Sequence, residues 1–230
     1  MKAMLFLLAT VLFMFQNSSV VGSSGNIFVD IEGEYQQEKL TADEYVSDRN
    51  IQYIDDAIKG VAAKKYGLNL RLLYLEPSGM SSENNLSMGP FISLGIHKYS
   101  GLLEGFEVSQ SFFMQAGYEA KLAFSTKSKS SFYLKWNLGL FYEIIAWQFI
   151  YDVHPQLGVF SEYEEHRMGP LAAFFAGMEY ALNPGTGFYV QAGIYGGSFT
   201  SQVENTEAVS GSDQNWFYGF KINLGVVWKL

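Results

Sequence analysis

The 230-residue chain contains no cysteine. That absence excludes disulfides, thiolate metal sites and a lipid-modified N-terminal cysteine. Proline is scarce, at five residues, and cations are outnumbered: 15 Lys and Arg face 23 Asp and Glu, for a net charge of −8. Phosphate backbones are held by clustered Lys and Arg, so this balance argues against a nucleic-acid partner. Long apolar runs are missing as well. Past residue 22 nothing reaches the roughly 18 consecutive apolar residues of a membrane helix, so any crossing of a bilayer has to be made by strands. What the chain has in quantity is Gly (23), Phe (19) and Tyr (15), a composition for strands and turns.

The N-terminus carries Lys2, then an apolar stretch from Ala3 to Phe15 broken only by Thr10, then Gln16, Asn17 and small residues. The stretch is too short to span a bilayer as a helix and suits the h-region of a secretory signal. Cleavage is expected between about Gly22 and Ser24, giving a signal peptide over 1–24 and one domain over 25–230.

The last fifteen residues set the pattern for the rest. Trp216, Tyr218, Phe220, Ile222, Leu224, Val226, Trp228 and Leu230 alternate with Phe217, Gly219, Lys221, Asn223, Gly225, Val227 and Lys229. Side chains alternate across a strand, so one face is a continuous apolar band closed by aromatic residues at both ends. The strand is also longer than the roughly 9–11 residues that cross a membrane when tilted. This segment resembles the closing strand of bacterial outer-membrane β-barrels, although it ends in Leu230 where their assembly signal has an aromatic residue. The resemblance implies recognition of Trp216 to Leu230 by the outer-membrane assembly machinery.

Seven further strands read in the same way, over 27–36, 61–75, 86–98, 106–125, 131–147, 167–180 and 187–200. Pro90 in the third predicts a bulge or a place near the strand's start. Residues 53–63 carry a short helical spacing within a long acidic loop, and 148–166 read as another loop with Glu162, Glu164 and Glu165. Links after strands one, three, five and seven run about 23, 7, 19 and 14 residues, against about 10, 5 and 6 after the others. Long loops at one end and short turns at the other fit extracellular loops and periplasmic turns. The expected fold is therefore all-β: an eight-stranded antiparallel transmembrane β-barrel with both termini periplasmic, in the outer membrane of a diderm bacterium. A soluble barrel of the same strand count would turn its apolar face inward. Here the polar rows are rich in Gly and Ser with sparse charges of both signs, a poor solvent face.

An interior of eight strands is filled by side chains, and charges within it must be paired. One expected set is Glu32, Arg71 and Lys221 at middle depth; a second is Glu119, Lys121, Lys135 and Glu179 nearer the periplasmic end. Toward the other end the inward row turns greasy, with Phe113, Phe141, Ile145, Trp147, Leu171, Phe175 and Tyr195 as candidate ligand-lining residues. In size and strand count the chain resembles the OmpW-type porins, and more broadly the small OmpX-like barrels. The first likeness implies uptake of small apolar molecules into such a lumen and their release sideways. The alternative is a structural or adhesive surface barrel acting through its acidic loops.

Catalysis is not expected. His97 and Ser100 stand three apart and so point to opposite faces of a strand, unlike the His-x-Ser spacing of the barrel lipid A deacylases. The loop acids, Asp43, Glu44, Asp48, Asp55 and Asp56 among them, lack calcium-loop spacing. No metal or cofactor is expected; the partners are membrane lipids and, in the transport reading, a small apolar ligand.

Overall fold

The computed structural model describes residues 25–41, 62–78, 84–100, 106–125, 129–149, 162–204 and 215–230. The signal segment and the helical spacing in 53–61 lie outside them. Eight strands follow in order: β1 (Asn26–Thr41), β2 (Ala62–Ser78), β3 (Asn84–Ser100), β4 (Phe106–Ser125), β5 (Ser130–Phe149), β6 (Glu162–Asn183), β7 (Thr186–Glu204) and β8 (Asn215–Lys229). Each pairs antiparallel with its neighbour, and β8 returns to β1, so the sheet closes into a barrel. Closure removes every sheet edge, which is the condition for strands to cross lipid. The seam is completed by the Leu230 amide donating to the Ile27 carbonyl at 2.9 Å, which puts the start of β1 and the end of β8 at one end of the barrel.

The period-two pattern is what assigns the faces. Leu68, Leu138 and Ile194 point outward with about two thirds of their surface exposed (65%, 63% and 65%), whereas Glu32, Glu34, Arg71, Glu119 and Glu143 are buried inside. Water would penalise that outer belt and the apolar core of a bilayer would not. A soluble barrel has the opposite polarity, so the belt is a lipid-facing one.

Stagger fixes how the strands lean. Taken from register pair to register pair, Phe28, Leu73, Phe91, Gly117, Gly139, Leu171, Gly197 and Phe217 lead on to Leu40, so one circuit climbs from residue 28 to residue 40 of β1. Twelve residues of stagger over eight strands corresponds to the steep end of the usual tilt of about 35–45°.

Three local features differ from the sequence expectation. Pro90 makes no bulge: the β2–β3 register is the same on both sides of it, with pairing omitted only opposite Pro90 and Gly89. Gly89 permits this, because a Cβ there would lie 1.7 Å from the Tyr74 carbonyl oxygen. Register shifts fall instead in β4, between Val108 and Gln110, and in β6, between Ala181 and Asn183. Finally, β6 begins at Glu162, so Glu162, Glu164, Glu165 and His166 belong to a strand and not to a loop. Inward Glu165 is held there by Arg167 two residues on, whose Nε and Nη2 donate to its carboxylate at 2.7 and 2.9 Å. At the β6–β7 end the Asn-Pro-Gly signal gives the tight turn expected, with the Gly185 amide donating to Asn183 Oδ1 at 2.9 Å.

Candidate functional site

The inward row of β1 sets up the lumen, because Asp30, Glu32, Glu34 and Glu38 all point into it and all are buried. Acids at every second position repel one another unless cations from other strands reach them. Cations from other strands reach two of them, Glu34 and Glu38, and the lumen as a whole pairs acids with cations at four heights. Near the termini Lys121 pairs with Glu179 at 2.5 Å, partly open to solvent. Above them Arg71 pairs with Glu119, which Lys135 also approaches at 3.7 Å, while Arg71 stacks over Phe91 and Lys135 over Phe175. Higher still, Glu34 takes Lys221, His97 Nε2 at 2.6 Å and the amide of Asn69.

In the first expected set the ion pairs have different partners. Arg71 and Lys221 do not hold Glu32; its carboxylate instead accepts from Tyr189 at 2.7 Å and Asn223 at 2.8 Å. Glu119, Lys121, Lys135 and Glu179 all face the lumen, and Glu119 joins the Arg71 level. Sequence reading also missed a whole tier at the loop end. Lys65 lies between Glu38 at 3.1 Å and Glu143 at 3.3 Å, and Glu143 accepts from Tyr99 and Ser111, each at 2.7 Å. The signal for it was there, since Glu38, Lys65 and Glu143 all lie on inward parity. His97 is buried inside, whereas Ser100 faces out.

Of the seven candidate ligand-lining residues, Phe141, Leu171 and Tyr195 share one cluster with Phe199 and Phe217, against which Phe113 packs. Rings meet at centroid distances of 6.0 Å for Phe113–Phe141, 5.3 Å for Phe141–Phe217 and 5.9 Å for Phe199–Phe217. Phe175 sits lower, under the Lys135 ammonium, and Ile145 is fully buried at the loop end. Trp147 is in β5, but its side chain lies outside the described residues. Phe199 and Phe217, not anticipated, complete the greasy side.

Space inside is small. A void of about 40 Å³ lies between the apolar cluster and the charged tiers, and one of about 50 Å³ lies nearer the termini. Lys135 lines both. Each holds a few waters at most, whereas ligand pockets run to about 300–1,000 Å³.

One wall of the cluster is thin. The β6–β7 ladder pairs Met168 with Thr200 and Leu171 with Gly197 but omits Gly169 and Pro170. Proline has no amide hydrogen to give. Behind this gap Gly197 lets the wall approach closely: a Cβ there would lie 2.2 Å from the Pro170 carbonyl and 3.0 Å from the Phe217 ring.

The outer-membrane protease OmpT from Escherichia coli is similar in structure at a TM-score of 0.52, with 8% identity over 89% of this chain and 97% of that one. The chain has the fold of an outer-membrane β-barrel. Outer-membrane protein AlkL (TM-score 0.47, 14% identity, 90% of this chain and 91% of that one) and OprG from Pseudomonas aeruginosa (TM-score 0.43, 15% identity, 90% and 97%) are also similar to this outer-membrane barrel. No protein-family model matches the sequence, and no curated protein does.

Proposed function

We propose that this barrel sits in the outer membrane with its termini in the periplasm, and that it takes small apolar molecules into the loop-end cluster and releases them sideways between β6 and β7. The observation that carries this is the coincidence of the apolar cluster with the break in the ladder at Gly169 and Pro170. An apolar molecule has no favourable way down the axis, where Glu34, Lys221, Arg71 and Glu119 bar it. Sideways, two missing register pairs separate Leu171 and Phe217 from the lipid.

A staple tests it. Met168 and Thr200 are register partners that flank the gap on its outer face. Opposed Cβ atoms in an antiparallel pair are close enough for a disulfide, and the chain has no cysteine of its own to interfere. Oxidised M168C/T200C should lose uptake of a small apolar probe and regain it on reduction, while a staple at the β2–β3 pair Leu70 and Leu94 should change nothing. Uptake that is the same with the seam stapled and open would reject lateral release.

The second reading is a surface barrel whose interior only stabilises it. The voids of about 40 and 50 Å³ favour this one, because transport requires Phe217 or its neighbours to swing away. Absence of probe uptake in every form of the protein, folded and reduced, would leave it as the better account.

A further inference from the structure

The outer face carries a cationic patch that neither transport nor the lumen explains. Lys39 on β1, Lys64 on β2 and Lys98 on β3 are exposed and point outward, just beyond the loop-end margin of the apolar belt. They step diagonally across three strands: Lys39 pairs with Ala62, two residues from Lys64, and Lys64 pairs with Ser100, two residues from Lys98. The steep tilt turns that diagonal into a level line. Below it lie Tyr35 and Tyr66, with ring centroids 5.2 Å apart, at the depth where aromatic residues meet headgroups.

The line is confined to one side. At the same height the outward positions of the other strands are Gln110, Ile144, Met168, Thr200 and Tyr218, none of them a cation. Diagonal neighbours on a sheet are about 7–8 Å apart, so three like charges in this arrangement repel unless an anion lies among them. Among the described residues no carboxylate forms an ion pair with any of the three. In a chain of net charge −8 such a cluster is against the trend.

We infer that Lys39, Lys64 and Lys98 form a docking line for the phosphate groups of a lipid in the leaflet at the loop end, with Tyr35 and Tyr66 covering the top of its acyl region. In the outer-membrane placement proposed above, that lipid is a phosphorylated glycolipid. The ammonium groups extend from the sheet to headgroup height while their stems stay along the belt.

The probe is diphosphorylated lipid A, titrated into zwitterionic micelles holding the folded barrel, with inorganic phosphate and dephosphorylated lipid A as separate arms. This readout depends on neither transport nor orientation in a cell, so it can fail while the proposed function stands, and the reverse. Each Lys near an anionic surface is worth about five-fold in binding, so K39Q/K64Q/K98Q should weaken lipid A binding by about a hundred-fold. K121Q, in the lumen, should leave it unchanged, and inorganic phosphate should not compete. Three results would overturn the inference: equal binding by the triple variant, equal binding of the dephosphorylated lipid, or competition by inorganic phosphate. A fourth would as well. If the triple variant were destabilised in lipid-free micelles by as much as lipid A stabilises the wild type, the lysines would serve the chain's own acidic loops.

Discussion

At the scale of single residues, Glu119 is the most consequential side chain in the lumen. It faces Arg71 and Lys135 together, all three side chains being at most 5% exposed. Removing its charge strands two cations in a low-dielectric interior. Breaking a buried pair in this way costs about 3–5 kcal/mol. Glu119→Gln should therefore lower the urea midpoint of the refolded barrel markedly. Lys121→Gln is the contrast, because the Lys121–Glu179 pair is 22% and 27% exposed and solvent already screens it. Its loss should cost about 0–1 kcal/mol. Similar midpoints for the two variants would show that the tiers are not what stabilises the lumen. The parity of these residues was legible in the sequence, but their partners were not. Arg71 reaches across the lumen to β4, skipping the strand beside it, and register arithmetic between neighbours carries no information about contacts through the middle.

At the scale of the element, β8 shows how much a strand's pattern can specify. Its outward row was readable because Trp216, Tyr218, Phe220, Ile222 and Leu224 leave no ambiguity of period, and all five are exposed. The start of β6 was not readable in the same way. Glu162, Glu164 and Glu165 together look like a solvated loop, and only the inward pairing of Glu165 with Arg167 makes strand geometry tolerable there. The end of β8 is also a test of closure. Trp228 pairs with Val29 on one side and Thr186 on the other, and the Lys229 amide donates to the Gly185 carbonyl at 2.8 Å. Deleting 228–230 removes all of these at once and leaves unpaired backbone on β1 and β7. Unpaired groups in lipid cost several kcal/mol each, so the truncated chain should fail to become heat-modifiable on gels and should remain protease-sensitive. Normal insertion of the truncation would mean that the remaining ladders suffice.

At the scale of the whole molecule, polarity inside and apolarity outside make opposite demands on the same substitution, and this separates the two functional readings. Phe141 is 3% exposed within the apolar cluster, and Leu138, three residues earlier on β5, is 63% exposed on the belt. A carboxylate at the lumen position meets Lys65, Arg167 and Lys221 among the groups lining the adjoining void, so the barrel should still fold. On the lipid face a charge near the midplane costs up to about 2–4 kcal/mol, and Leu138→Asp should impair insertion. Phe141→Asp should then give a folded barrel that no longer takes up a small apolar probe, because a charge now stands where the probe would enter. Neither form should pass ions, since the charged tiers leave no continuous path in planar-bilayer recordings. If Phe141→Asp folds and takes up probe as the wild type does, the aromatic cluster is packing alone and the barrel's work lies at its surface.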